Sequence, residues 1–186
     1  MRARIAVLIL LAVAACGPLP PRPEALTLPD NAGPGGAGDP TSWAILSSAY
    51  TFGQPSSVAG NPAAAAEALG QLEFLAVQFQ ADQRFIPGNP TTAFLLVQGR
   101  TEARQAFGIR PDTPPQLAVD ALYAVRDSLR AGDRDRAAAA MALLTQPGGA
   151  PPALARLEAL PYLPRAAFAT FTAQSSFRQF DGVRRL

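Results

Sequence analysis

The sequence predicts an all-α domain, a small bundle of five to seven short helices. Three observations predict it. A capping residue precedes proline at Asp39-Pro40, Asn61-Pro62, Asn89-Pro90 and Thr113-Pro114. The apolar residues that follow recur mostly at helical spacing. Glycines close several of those runs. A capping side chain accepts from an otherwise unpaired N–H of the first turn, and proline has no N–H to lose at the first helical position.

The elements follow in order. A first helix over 40–52 places Trp43, Leu46 and Tyr50 at helical spacing and stops near Gly53. A second, 62–80, carries the stripe Ala65, Ala68, Leu69, Leu72, Leu75, Ala76 and Phe79, with Glu67, Gln71 and Gln78 opposite. Phe74 and Val77 widen that stripe, so this helix should be central. A third, 90–107, ends at Gly108 as a left-handed cap. Gly99 and Ala103 put small residues one turn apart on it, where another helix can come close. A fourth, 114–131, turns Ala118, Ala121, Leu122, Val125 and Leu129 inward and is capped by Gly132. The fifth starts at once, with Asp133 as N-cap and Ala137, Ala140, Met141 and Leu144 inward. So short a turn makes the fourth and fifth helices antiparallel neighbours.

That hairpin, Thr113 to Gln146, resembles one tetratricopeptide-type unit in its Gly-Asp turn and its alanine-rich second helix. The repeat that defines that family is missing, so the expectation is a generic helical hairpin. A short helix over 153–160 follows. The last element, 164–180, carries Phe168, Phe171, Phe177 and Phe180; its threonines and aromatics leave helix or strand open.

Ahead of the domain the composition changes. Met1-Arg2-Ala3-Arg4 is a short positive stretch, and 5–15 is an unbroken apolar run of eleven residues. A bilayer-spanning helix needs about 20 residues; eleven suits the apolar region of a secretory signal peptide. The run ends in Val13-Ala14-Ala15-Cys16-Gly17. This pattern resembles the lipobox of bacterial lipoproteins. The resemblance implies cleavage before Cys16, a diacylglyceryl group on its thiol, and an envelope location facing the periplasm. Two or three acyl chains anchor firmly where one is marginal. By the same resemblance Gly17, in place of aspartate, favours the outer over the inner membrane. The alternative is an ordinary signal peptide cut at Ala-x-Ala. Residues 16–38, rich in proline and glycine, read as a disordered tether, leaving 39–186 as the helical domain.

Composition restricts function further. All sixteen basic residues are arginine, and histidine is absent. Removing Arg2 and Arg4 with the signal peptide turns the net charge of +2 into zero, so no nucleic-acid partner is expected. Without histidine or lysine, Ser47, Ser48, Ser175 and Ser176 have none of the usual activating bases. No catalytic residue, metal ligand or cofactor is assigned. Asp120 and Asp127, with Arg126, Arg130 and Arg134, read as a solvated, ion-paired face. The aromatics read as core, and Phe85-Ile86-Pro87-Gly88 as a lid over it, with a partner contact as the alternative. Arg178, Arg184 and Arg185 make a basic C-terminal stretch. Arg100 and Arg104, one turn apart, are the most ligand-like pair: two guanidinium groups can grip a carboxylate or phosphate. The expected role is non-enzymatic. The chain would be an envelope lipoprotein, anchored through lipid on Cys16, with a helical surface for a protein partner or assembly. The alternative is a binder of a small anion, and a carboxylate-dependent enzyme comes third.

Overall fold

The computed structural model describes residues 23–33, 39–82 and 90–184. Seven α-helices lie within them: α1 (Pro40–Gly53), α2 (Pro62–Ala81), α3 (Pro90–Phe107), α4 (Pro115–Arg130), α5 (Arg134–Ala142), α6 (Ala150–Glu158) and α7 (Pro164–Arg184). A 3-10 turn, Pro55–Val58, links α1 to α2. Among the described residues β pairing is limited to an isolated bridge between Ile109 and Thr145. The domain is all-α, and the last element is helix. No described helix is long and apolar enough to cross a membrane.

The caps show how the chain sets these elements. Asp39 accepts from Thr41 N–H, Asn61 from Ala64 N–H and Asp133 from Arg136 N–H. Asn89 lies outside the described residues. The Thr113 cap is corrected: α4 starts one residue later, with Pro114 at the cap position and no side-chain cap bond. Thr113 is buried, and its carbonyl is taken by an arginine from α3. Gly108 and Gly132 both have positive φ, +65° and +74°, as their cap positions require.

Helix α2 is central. It lies against α1, α3, α4 and α6, while α7 lies against α1 and α3. Helices α1, α2, α3 and α7 therefore make a four-helix bundle with α2 and α7 at opposite corners. The α4–α5 hairpin packs on the remaining side of α2. Being enclosed, α2 buries its polar flank too: Gln71, Glu73 and Gln78 are all buried.

Helices α3 and α7 are antiparallel. Thr92 and Ser176 share a hydrogen bond at one end, and Glu102 accepts from the N–H groups of Arg165 and Ala166 at the other, each at 2.9 Å. Glu102 thus supplies the first turn of α7 with a carboxylate from a neighbouring helix. Between these ends the helices nearly touch. A Cβ on Gly99 would lie 2.9 Å from Ala166 Cα and 3.2 Å from its N. The small-residue contact expected at Gly99 is with α7.

That close approach explains a second correction. The inward face of α7 is Ala166, Ala169, Thr170, Ala173 and Ser176, all small, so Phe168 and Phe171 are left outside. On α1 the buried stripe is Ala44, Ile45, Ser48, Ala49 and Phe52, one position off the expected Trp43, Leu46 and Tyr50, which are exposed. The aromatics are therefore not uniformly core. Gly99→Ala should be destabilising by about 1–2 kcal/mol, although alanine favours helix by about 1 kcal/mol, because the clash is with backbone. Thermal unfolding checks this; a stabilised variant would contradict the contact.

The third correction concerns the tether. Residues 23–33 lie on the domain as a strap, extended over 23–29 and turning at 30–33, where Ala32 N–H donates to Pro29 O. Leu26 and Leu28 pack against the core, and Ala32 is 1% exposed. Thr27 N–H donates to Gln116 Oε1, and Gln116 Nε2 donates back to Thr27 O, both at 3.0 Å. Four residues on, Asn31 binds Arg126 and Asp127. Thr27 and Asn31 thus meet α4 at points ten residues apart, so the strap runs alongside that helix. Residues 1–22 and 34–38 lie outside the described residues.

Candidate functional site

The two arginines singled out in the sequence have different fates. Arg104 is buried and committed. Its Nε donates to Glu73 Oε1 at 2.6 Å and its Nη2 to Oε2 at 2.8 Å. Nη1 donates to the carbonyls of Pro111 and Thr113, each at 3.0 Å. Its donors are spent on the fold: the pair ties α3 to α2, and the remaining donors fold the 109–114 loop back onto α3. Arg100, one turn earlier, makes no hydrogen bond or ion pair among the described residues. Burial draws its pKa below the usual guanidinium value; Glu73 acts against that shift and Arg104 with it. It stays charged, since guanidinium is not deprotonated in proteins. A two-guanidinium anion clamp needs both groups free, and only Arg100 is.

The second ionic cluster, read from the sequence as a solvated face, is centred on Arg126 and lies under the strap. Arg126 is 0% exposed. Its Nη1 donates to Asn31 O at 3.1 Å and its Nη2 to Asn31 Oδ1 at 2.6 Å. Its Nε donates to Asp127 Oδ1 at 2.7 Å. Asn31 Nδ2 completes the ring by donating to Asp127 Oδ2 at 3.1 Å. Beneath, the guanidinium stacks on Tyr123, 4.4 Å from the ring centre. Glu67 lies 3.8 Å away and pairs more closely with Arg130, at 2.6 Å. The expected solvated face is thus half right. Asp120 and Asp127 are exposed, but Arg126 turns inward and the strap seals it.

Tyr123 is buried, and its hydroxyl makes no hydrogen bond among the described residues; Gln71 Nε2 is equally unpaired. Burial first, and then the negative charge of Glu67, push the phenol above its ordinary pKa. Tyr123→Phe keeps the ring under Arg126 and removes an unsatisfied hydroxyl. It should stabilise the domain by about 1 kcal/mol in chemical denaturation; a loss of similar size would show that the hydroxyl has a partner.

The serines serve the helices. Ser47 Oγ donates to Gln71 Oε1, and Ser48 and Ser175 donate to carbonyls of their own helices. Among the described residues no three His, Cys, Asp or Glu side chains gather as a metal site would require. Arg178 is exposed. Between α3 and α7 an open apolar groove of about 480 Å³ is lined by Phe94, Leu95, Gln98, Pro164, Arg165 and Phe168. Phe94 is 62% exposed and Phe168 59%. Cys16 and the Phe85-Ile86-Pro87-Gly88 segment lie outside the described residues. Compared with protein-family models, curated proteins and solved structures, the chain matches none.

Proposed function

We propose that this chain is an envelope lipoprotein, acylated on Cys16 and facing the periplasm. Its helical domain is a protein-interaction or assembly module, not an enzyme. The observation that carries the reading is the N-terminal sequence. Arg2 and Arg4 precede an eleven-residue apolar run that ends in Val13-Ala14-Ala15-Cys16-Gly17. The run is too short to span a bilayer and long enough for export. Its last residues present a thiol next to small side chains. Gly17 fits sorting to the outer membrane.

Two features of the domain support a binding role. Arg104 with Glu73, and Arg126 with Asp127, have their charges neutralised by partners within the fold. General acid–base work calls for poised carboxylates converging on a cleft. Phe94 and Phe168, meanwhile, stand exposed along an apolar groove, the kind of surface that partners cover.

The test is mass spectrometry of the mature N-terminus recovered from membranes, beside Cys16→Ser. The expected result is a chain beginning at an acylated Cys16, and an unprocessed serine variant. An unmodified chain beginning elsewhere, or a soluble product retaining Met1, would overturn the reading.

A further inference from the structure

We infer that the end of the domain formed by the N-terminus of α4 and the C-terminal side of α5 is its membrane-facing surface, with Leu117 and Leu143 resting on the lipid. The inference builds on the lipoprotein reading and adds an orientation to it. The strap carries the argument. A tether free along 16–38 would let the domain tumble. Instead the chain already lies on the domain at Leu26 and Thr27, beside Gln116. Only ten residues separate Cys16 from Leu26, at most about 35 Å of chain. A domain of this size has a radius of gyration near 15 Å and is roughly 38 Å across. The anchor is therefore no longer than the domain is wide. The Gln116 end stays close to the lipid, and the far end of the hairpin reaches it only if most of the tether is drawn along the domain's flank.

The surface at that end suits the position. Leu117 follows Gln116 directly and is 38% exposed; Leu143 is 55% exposed. Arg110 holds the two segments together, donating to the carbonyls of Thr145 at 2.9 Å and Leu143 at 3.0 Å. Arg110 N–H also donates to Leu144 O. Arg110 with the nearby Asp112 and Asp120 gives this end a formal charge of −1, so apolar contact and the short anchor set the orientation, not attraction to anionic headgroups. The far end of the hairpin, around Gly132 to Arg136, is about 24 Å away along α4.

The experiment uses the lipidated full chain. With Cys16 consumed as a thioether, one introduced cysteine is the sole free thiol. A donor fluorophore is placed at Leu117→Cys, Leu143→Cys or Arg136→Cys, all exposed positions. Each protein is inserted into vesicles of phosphatidylethanolamine with a minority of phosphatidylglycerol, doped with a headgroup acceptor dye. Helical circular dichroism and the unfolding midpoint confirm that each labelled chain is folded. Energy transfer several-fold stronger from 117 and 143 than from 136 is the expected result. Equal transfer from all three, or stronger transfer from 136, overturns the orientation and leaves acylation standing. A chain that carries no lipid and does not float with the vesicles overturns the lipoprotein reading, and the orientation with it.

Discussion

Glu73→Ala should cost the domain about 3–5 kcal/mol, one of the two largest single-site losses expected here. The size follows from what stays behind. Arg104 would keep its bonds to the carbonyls of Pro111 and Thr113 but lose both bonds to the Glu73 carboxylate. Its guanidinium would remain buried, with Arg100 one turn away as a second cation and no anion between them. For a domain near 150 residues this lowers Tm by about 10 °C. The double variant Glu73→Leu with Arg104→Met should recover much of the loss, because apolar replacement of a buried pair is often neutral. Recovery should be incomplete, since the carbonyls of Pro111 and Thr113 then lose their donor. Urea denaturation of the two variants beside the unaltered chain checks this. If Glu73→Ala and the double variant lose equally, the loss comes from the missing polar tie between α2, α3 and the 109–114 loop, not from an orphaned charge.

Much of the fold was legible because helix signals are local. A capping side chain before proline acts within four residues, and Gly108 and Gly132 needed only their own φ. The stripe of α2 and the inward set of α4 and α5 were readable for the same reason. Burial that depends on a neighbour was not. Phe168 and Phe171 look like core until Gly99 admits α7 so closely that alanines fill its inner face. Glu73 sits between Leu72 and Phe74 in a helix expected to be central. A charge there had to find a buried partner, yet nothing local named Arg104. Arg104 itself was noticed, but as a ligand group, because spacing along one helix does not reveal a carboxylate on another. Arg126 falls on the inward side of α4, four residues after Leu122; that was a readable signal. The strap's signal was fainter. Leu26 and Leu28 alternate as an extended half-buried chain would, but proline and glycine on both sides suggested a free tether.

Asn31→Ala should cost about 2–3 kcal/mol, far more than the half kilocalorie usual for an exposed residue outside the helices. Three bonds make the case. Asn31 gives Arg126 a backbone and a side-chain acceptor, and gives Asp127 a donor. The substitution removes the side-chain acceptor and the donor. The strap stays in place through Thr27, Gln116 and the two leucines, so water reaches the guanidinium only in part. A charged donor left short of an acceptor at a site with no solvent exposure costs more than a neutral one. Tm should fall by about 4–10 °C. Arg126→Met separates this account from simple loss of strap packing. Methionine keeps the contact with Tyr123 and removes the charge that Asn31 serves, so Asn31→Ala should be nearly silent in that background. The expected coupling in the double-mutant cycle is about 1.5–3 kcal/mol. Additive losses would mean that Leu26, Leu28 and Ala32 hold the strap by burial alone. Strong coupling would mean that the strap and the arginine stabilise each other, and that the segment just after the anchor belongs to the folded domain.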